Sequence, residues 1–120
     1  MATKDLPDSG QKKIFNSGAQ RDGDAGRGRP SLIPPCAIRS LADRYEQGAV
    51  KYGDCNWMKG VPLSRYVDSL SRHLLAVNEG DESEDHLGAI LWNAASMMWT
   101  KQAIKDGKLD ENLNDLAFNE

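Results

Sequence analysis

Three segments of the chain place apolar side chains at steps of three and four residues, and this spacing limits what the chain can fold into. Such a pattern is typical of amphipathic helices that bury one face. The segments are residues 36–52 before Gly53, residues 62–79 before Gly80, and residues 81–106 before Gly107. A glycine in this position suits a helix C-terminus. The sequence therefore predicts an all-α fold, a small bundle of three main helices.

The size of the chain predicts a thin hydrophobic core. At 120 residues it forms one small domain, and 39% of its residues are hydrophobic. A domain of this size buries only about two thirds of the surface of its unfolded chain. Trp92 and Trp99 lie seven residues apart, which indicates a second buried surface on the third helix. We therefore expect a homo-oligomer, a dimer or tetramer, to complete the bundle.

The two ends of the chain differ from its middle. Residues 1–35 show little hydrophobic periodicity and contain many glycines, so we expect a mobile N-terminal arm. Its arginines Arg21, Arg27 and Arg29 either wrap a ligand or a neighbouring subunit or stay solvated. Residues 36–107 are the predicted helical domain, and residues 108–120 a polar C-terminal tail.

Composition and charge exclude several classes of function. The net charge of −3 argues against a nucleic-acid partner, which would need a basic surface. No apolar run is long enough to cross a membrane, and the first residues lack the order of a secretory signal, so a cytoplasmic protein is expected. Cys36 and Cys55 form neither a disulfide framework nor a paired zinc motif. A small anionic ligand needs only a local cluster of Lys and Arg.

The connection after the first helix contains residues suited to a nucleotide. Trp57 either covers the core or offers a platform on which a base could stack. Asn56 beside it can donate and accept hydrogen bonds, and Lys51 and Tyr52 precede it. We treat these four residues as candidate substrate-binding residues.

The second helix contributes three polar candidates. Asp68 and Arg72 are four residues apart and form either a helix-surface ion pair or a site in which Asp68 binds metal and Arg72 binds phosphate. His73 lies at the edge of the apolar stripe, where a histidine is either a buried residue with one hydrogen-bond partner or a functional group.

The start of the third segment is acidic. Asp81, Glu82, Glu84 and Asp85 fit the first turn of a helix, where carboxylates interact favourably with the helix dipole. They also fit Mg²⁺, which prefers oxygen ligands and bridges carboxylates to phosphates. Further along, His86 and Asn93 are seven residues apart and border the apolar stripe. Buried polar groups at such an edge need partners from the protein or from a ligand.

The order of five sequence motifs resembles a known family. They are SGAQRD, LIPP, GAVKYGDCNW, SRYVDSLSRHL and GDESEDHLGAILWN. In this order they resemble the dATP/dGTP diphosphohydrolase N-terminal domains of phage and prophage proteins, which are similar to the all-α NTP pyrophosphohydrolases of the MazG type. The resemblance implies Mg²⁺ held between helices and cleavage of a nucleoside triphosphate to its monophosphate and pyrophosphate. A phage-encoded protein would work in the host cytoplasm.

With this resemblance, our first hypothesis assigns roles to individual residues in hydrolysis of a purine deoxynucleoside triphosphate. Asp68, Glu82 and Asp85 would hold Mg²⁺, and His73 or His86 would position the attacking water. The substrate-binding residues would be Lys51, Tyr52, Asn56, Trp57, Arg72 and Asn93. The two acidic strings of the MazG type do not occur here, and Ala89 stands where the second would place a metal-binding aspartate.

Two other interpretations remain open on the same helical frame. One is a protein that binds a nucleotide or nucleotide-derived signal without metal or turnover, and the other is a purely structural helical protein. An HD-type phosphohydrolase is disfavoured, because its adjacent His-Asp pair is absent and the order here is Asp85-His86. The sequence does not determine which base is preferred.

Overall fold

Three helices dominate the structure of the chain, a computed structural model that describes residues 11–118. They are α1 (Pro35–Tyr52), α2 (Leu63–Asn78) and α3 (His86–Lys105). Short 3₁₀ turns occupy Pro30–Leu32, Asn56–Lys59 and Glu111–Leu113. The predicted all-α fold with three main helices is confirmed. No helix among residues 11–118 is both long and apolar enough to span a membrane.

Helix α3 lies at the centre of the packing and contacts both α1 and α2. Its buried face consists mainly of small residues, including Ala89, Ser96 and Ala103. Small side chains allow neighbouring helices to approach closely, and Leu63 and Tyr66 of α2 are almost fully buried. The Tyr45 hydroxyl lies 2.8 Å from the Ser96 hydroxyl, which joins α1 to α3.

Proline and glycine set the limits of α1, and the end at Gly53 is the one that the sequence predicts. Pro34 has extended backbone and Pro35 occupies the first helical position, where its missing N–H costs nothing. At the other end Gly53 has φ 92°, and its N–H donates to Ala49. This left-handed conformation favours glycine and stops the helix.

The start of α3 differs from the prediction. The acidic run was expected to form the first helical turn, but the helix begins at His86 and the run lies in the preceding loop. The reason is that Asp85 is the N-cap, its Oδ1 accepting the Gly88 N–H at 2.9 Å. Asp81 forms a local turn in the same loop, accepting the Ser83 N–H at 2.9 Å. The acidic side chains are therefore held in a loop rather than along a helix.

The described part of the predicted mobile arm contains a short hairpin, which the sequence analysis did not predict. The mobility of the arm stays a prediction. Strands β1 (Lys12–Ile14) and β2 (Gln20–Asp22) form an antiparallel hairpin. Gly18, with φ 89°, makes the turn possible, and its N–H donates to Phe15. The strands are too short and too exposed to show an alternating pattern in the sequence. Residues 1–10 of the predicted arm and 119–120 of the predicted tail lie outside the described residues.

The chain divides into two compact units between Ile33 and Pro34. The first contains the hairpin, where Asp22 accepts from Lys12 at 2.7 Å and lies 3.6 Å from Arg27. The second contains the three helices. The candidate functional residues described below all belong to the helical unit.

Candidate functional site

A groove of about 460 Å³ runs along the C-terminal half of α1. Its lining includes Arg44, Gln47, Lys51 and Tyr52 of α1, Asn56 and Trp57 of the following turn, and Trp92 of α3. The volume lies in the range of small-molecule sites, about 300 to 1,000 Å³. Four of the predicted substrate-binding residues, Lys51, Tyr52, Asn56 and Trp57, therefore line one groove.

Aromatic rings form the floor of the groove. The Trp57 ring lies 5.6 Å from Tyr45 and 5.0 Å from Trp99, the latter in an edge-to-face arrangement at 88°. Tyr45 also contacts Trp92 at 5.9 Å. These contacts fix the indole of Trp57 while part of it borders the groove. The two sequence-based interpretations of Trp57, core lid and ligand platform, are thus compatible in this position.

The charged side chains that line the groove are cationic, and one of them, Arg44, is paired with Glu84. Arg44 and Lys51 line it, and no acidic residue among residues 11–118 does. The Lys51 ammonium lies 5.2 Å from the Tyr52 ring centre. A ligand with a flat apolar part and a negative part would match both features of the groove.

The sequence contained a signal for this groove that the analysis of apolar stripes missed. Arg44, Gln47, Gly48, Lys51 and Tyr52 recur at steps of three and four along α1, so they share one face of the helix. The stripe is mostly polar, which is why a search for buried faces does not find it. Arg44 was not among the predicted site residues.

A second group of polar side chains forms where α2, α3 and the loop between them meet. The Nδ1 atoms of His73 and His86 are 2.8 Å apart, and their rings lie 5.1 Å apart between centres. His86 is buried, with 8% of its surface exposed. Its Nε2 lies 3.0 Å from Asp81 Oδ2. The two predicted catalytic histidines therefore come together, although 13 residues separate them.

These contacts assign the tautomers of both rings. A carboxylate oxygen only accepts, so Nε2 of a neutral His86 carries the proton and donates to Asp81. The Nδ1 lone pair of His86 then accepts the proton on His73 Nδ1. Asp81 in turn accepts hydrogen bonds from the N–H and the hydroxyl of Ser83. These two bonds lower the pKa of Asp81, and the bond from the N–H has the larger effect. Asp81 thus orients His86.

Glu84 and Arg44 connect this cluster with the groove. Glu84 Oε1 lies 4.0 Å from His73 Nδ1 and accepts from Arg44 Nη2 at 2.9 Å. The hydrogen bond from Arg44 lowers the pKa of Glu84. Burial lowers the pKa of His73, with the Glu84 carboxylate opposing that effect. Since Arg44 also lines the groove, the two sites share one side chain.

The three carboxylates predicted to bind metal do not meet within the described residues. Asp68 lies exposed on α2 and Glu82 lies exposed in the loop. Asp85 caps α3. The hydrogen bond from the Gly88 N–H lowers the pKa of its carboxyl most, and a hydrogen bond with Ser40 lowers it further. In residues 11–118 the ligand atoms that do converge belong to His73, Glu84 and His86, all within 4.8 Å of one another. The metal-binding roles of Asp68, Glu82 and Asp85 stay predictions.

The two remaining predicted substrate residues lie away from the lining of the groove. Asn93 is 3% exposed, and its Nδ2 donates to Ala89 O at 2.8 Å and to Ser69 Oγ at 3.2 Å. Asn93 therefore helps to pack α3 against α2. Arg72 lies exposed on α2 next to His73. Their roles in substrate binding stay predictions.

The two imidazole nitrogens and one carboxylate oxygen of the cluster do not fit Mg²⁺ as a resident ion. Mg²⁺ demands oxygen ligands in near-octahedral geometry. Imidazole is a ligand for Zn, Cu, Fe and Ni instead. The predicted Mg²⁺ requirement is therefore not explained by the side chains that converge here.

The fold and its polar groups define a small all-α protein. It has a groove lined by cations and aromatic rings, and a histidine–carboxylate cluster next to that groove. The chain belongs to the family of dATP/dGTP diphosphohydrolase N-terminal domains, whose model matches residues 17–111. It is 32% identical over 65 residues to a protein of Salmonella phage PMBT28 named dATP/dGTP diphosphohydrolase. That match covers 54% of this chain and 22% of the phage protein. No solved structure matches the chain.

Proposed function

We propose that this chain hydrolyses a purine deoxynucleoside triphosphate to the monophosphate and pyrophosphate. The observation that carries the proposal is the position of Arg44, which lines the groove and bonds to Glu84 of the histidine–carboxylate cluster. Such a residue can bind phosphate between a base-binding groove and a polar reaction centre. The family and the name of the phage relative support this substrate class.

The groove would bind the nucleoside part of the substrate. A purine stacks on aromatic side chains, and Trp57 and Tyr52 supply them. The amide of Asn56 can both donate to and accept from a base edge. The triphosphate would then extend towards Lys51 and Arg44, whose charges match its own.

The proposed reaction needs one water molecule. Its oxygen attacks the α-phosphorus, the bond from that phosphorus to the bridging oxygen breaks, and the bridging oxygen leaves with pyrophosphate. Catalysis of such a transfer consists mainly of positioning and charge stabilisation. Arg44 would stabilise the developing negative charge. The cluster of His73, Glu84 and His86 would position the attacking water.

Mg²⁺ would enter as part of the substrate, bound to the triphosphate. This ion usually keeps several waters and binds through one or two carboxylates and substrate phosphates. Asp68, Glu82 and Asp85 remain the predicted carboxylates for that contact. Deoxynucleoside triphosphates as substrates would place the protein in the cytoplasm, that of the host for a phage-encoded chain.

Product analysis tests the proposal. The purified chain, incubated with each of the four deoxynucleoside triphosphates and Mg²⁺, should release monophosphate and pyrophosphate in equal amounts, fastest with a purine. Arg44→Met should lower kcat/KM about tenfold to a hundredfold, the loss of one charge-assisted contact. Arg39→Met is the matched control, since Arg39 lies exposed on the same helix and outside the groove. No turnover of any of the four would refute the proposal.

A second candidate function is nucleotide binding without turnover. It is favoured by the position of Asp85, which acts as a helix cap, and by the fact that Asp68, Glu82 and Asp85 do not form a convergent ligand group within residues 11–118. A binding protein needs the groove and its cations but no convergent carboxylates. Calorimetric binding of a purine nucleotide by a chain that releases no pyrophosphate would establish this alternative.

We also propose that a second copy of the chain covers part of α3. Leu87, Leu91 and Met98 on α3 are exposed, by 61%, 37% and 73%. The opposite face of the same helix is buried against α1 and α2. A helix that is apolar on all sides is normally buried on all sides.

A further inference from the structure

We propose that His73, Glu84 and His86 form a binding site for a divalent transition-metal ion of the Zn²⁺ type, with Nδ1 of both histidines and a Glu84 oxygen as ligands. Binding of the ion does not depend on the proposed hydrolysis. Its part in catalysis does rest on that function. The proposal differs from the expected Mg²⁺ site in both the ion and the residues.

The distances between the ligand atoms suit one shared ion. The two Nδ1 atoms are 2.8 Å apart, and Glu84 Oε1 lies 4.0 Å from that of His73. Two nitrogens bound to a tetrahedral zinc at about 2.0 to 2.1 Å lie about 3.3 Å apart. An outward movement of about half an ångström would therefore admit the ion in place of the shared proton.

Asp81 holds His86 in the orientation that a metal ligand requires. Its carboxylate accepts the Nε2 proton at 3.0 Å and so leaves the Nδ1 lone pair facing His73 and Glu84. A carboxylate that accepts the second ring proton is the usual partner of a metal-bound histidine. Ser83 in turn fixes Asp81 through two hydrogen bonds of 2.9 and 3.1 Å. This support is independent of the ligand distances.

The donor set distinguishes the ion. Two imidazoles and one carboxylate suit zinc and related transition metals, whereas Mg²⁺ takes oxygens. Three protein ligands leave a further position for water, as in catalytic rather than structural zinc sites. When bound, such an ion supplies a Lewis acid and lowers the pKa of its water.

The ion pair between Glu84 and Arg44 is compatible with the site. Each carboxylate oxygen has two lone pairs, and Glu84 has a second oxygen besides the one that accepts from Arg44. Glu84 is about half exposed, so its side chain can turn without disturbing the core. The metal would lie at the end of the groove that Arg44 lines.

Calorimetry on the full chain, freed of metal by a chelator and carrying no histidine tag, tests the site. Zn²⁺ should bind with one ion per chain, and Mg²⁺ should not compete when present in 1,000-fold excess. Because the chain contains two histidines, ¹⁵N imidazole spectra are easily assigned. Zn²⁺ should shift Nδ1 of both rings, leave the proton of His86 on Nε2, and move the proton of His73 from Nδ1 to Nε2. Ligation through Nε2, or displacement of Zn²⁺ by Mg²⁺, would overturn the proposal.

Surface variants keep the test independent of folding. Glu84→Gln should weaken Zn²⁺ binding at least tenfold, and Asp81→Asn should weaken it about 10- to 100-fold, as loss of an orienting partner does. Glu79→Gln is the matched control, an exposed acid in the same connection outside the convergent ligand set. Equal Zn²⁺ affinity in wild type, Glu84→Gln and Asp81→Asn would show that the ion binds elsewhere and refute the site.

Failure of this inference can be told apart from failure of the proposed function. The binding measurements use Zn²⁺ alone and no nucleotide. A chain that releases pyrophosphate with Mg²⁺ but binds no Zn²⁺ would retain the function and lose the site. A chain that binds Zn²⁺ through both Nδ1 atoms and releases no pyrophosphate would retain the site and lose the function.

Discussion

Lys51 tests the electrostatic character of the groove at the scale of one residue. Replacement by Gln keeps much of the side-chain length and removes the charge. We expect the Kd of a non-hydrolysable purine deoxynucleoside triphosphate to rise about tenfold, or about 1.4 kcal/mol, because one cation near the phosphates is lost. Titration calorimetry measures this change, and it applies whether or not the chain turns the nucleotide over.

Lys59→Gln is the control for that experiment. Lys59 is also exposed and lies at the end of the Asn56–Lys59 turn, but it does not line the groove. Its replacement changes the net charge of the chain by the same amount. Equal weakening in the two variants would mean that the nucleotide responds to overall charge rather than to the groove.

Single residues also show where sequence reasoning reached its limit. Lys51, Tyr52, Asn56 and Trp57 could be predicted as a group, because they are close along the chain around one helix end. Glu84 could not be assigned to Arg44, since 40 residues separate them and their contact depends on how the loop before α3 folds. Local sequence carries little information about such a contact.

Asp85 shows how a cap and a metal ligand can be distinguished at the scale of an element. Asn caps helices about as well as Asp, whereas Ala does not. We expect Asp85→Ala to lower the free energy of unfolding by about 1 kcal/mol and Asp85→Asn to change it by only a few tenths of a kcal/mol. Urea denaturation followed by circular dichroism provides both values.

The hydrolytic activity of Asp85→Asn then tests whether Asp85 binds metal. Asn retains the cap but is a poorer ligand for Mg²⁺ than a carboxylate. If Asp85 only caps α3, Asp85→Asn should hydrolyse nucleotide at the wild-type rate. A stable Asp85→Asn protein without turnover would support the metal role instead.

The start of α2 depends on a residue far along the chain. Pro62, at the N-cap position, has no side chain that can accept a hydrogen bond. Asp115 takes this role, accepting from the Ser64 hydroxyl at 2.6 Å and the Ser64 N–H at 2.9 Å. These bonds lower the pKa of Asp115 in the folded state, and the bond from the hydroxyl has the larger effect.

The lowered pKa of Asp115 predicts an acid-dependent loss of stability. A carboxyl whose folded pKa lies below its unfolded value, about 3.9, stabilises the protein above that value. The contribution is lost as the pH falls through the folded pKa. Asp115→Asn should therefore be less stable than wild type at pH 7, and the difference should shrink below pH 4. Urea denaturation at several pH values measures it, and a difference independent of pH would contradict the assignment.

At the scale of the whole molecule, the helices were predictable and their approach to one another was not. The apolar stripes indicated three helices, and the predicted segment of residues 36–52 before Gly53 agrees closely with α1. The acidic run suited both a first helical turn and a loop, so the start of α3 was misplaced. The short hairpin of β1 and β2 was missed because exposed strands of three residues carry no periodic signal.

Exposed apolar side chains on α3 lead to the last prediction, the oligomeric state. Leu87, Leu91 and Met98 recur at steps of four and seven residues, so they form one stripe on the side away from the buried Ala89 and Ser96. Leaving such a stripe in water costs about 25 cal/mol per Å² of apolar surface, which a second copy would recover. We therefore expect a dimer, or a higher homo-oligomer, in solution.

Light scattering coupled to gel filtration measures this directly. The wild-type mass should be at least twice the 13.2 kDa of one chain. Met98→Glu should shift it towards the single-chain mass without unfolding, since the Met98 side chain is 73% exposed and a charge there affects only an interface. Val50→Glu, at a site 85% exposed on α1, is the matched control and should leave the mass unchanged. A wild-type protein with the mass of one chain would refute the prediction and mean that the thin core suffices alone.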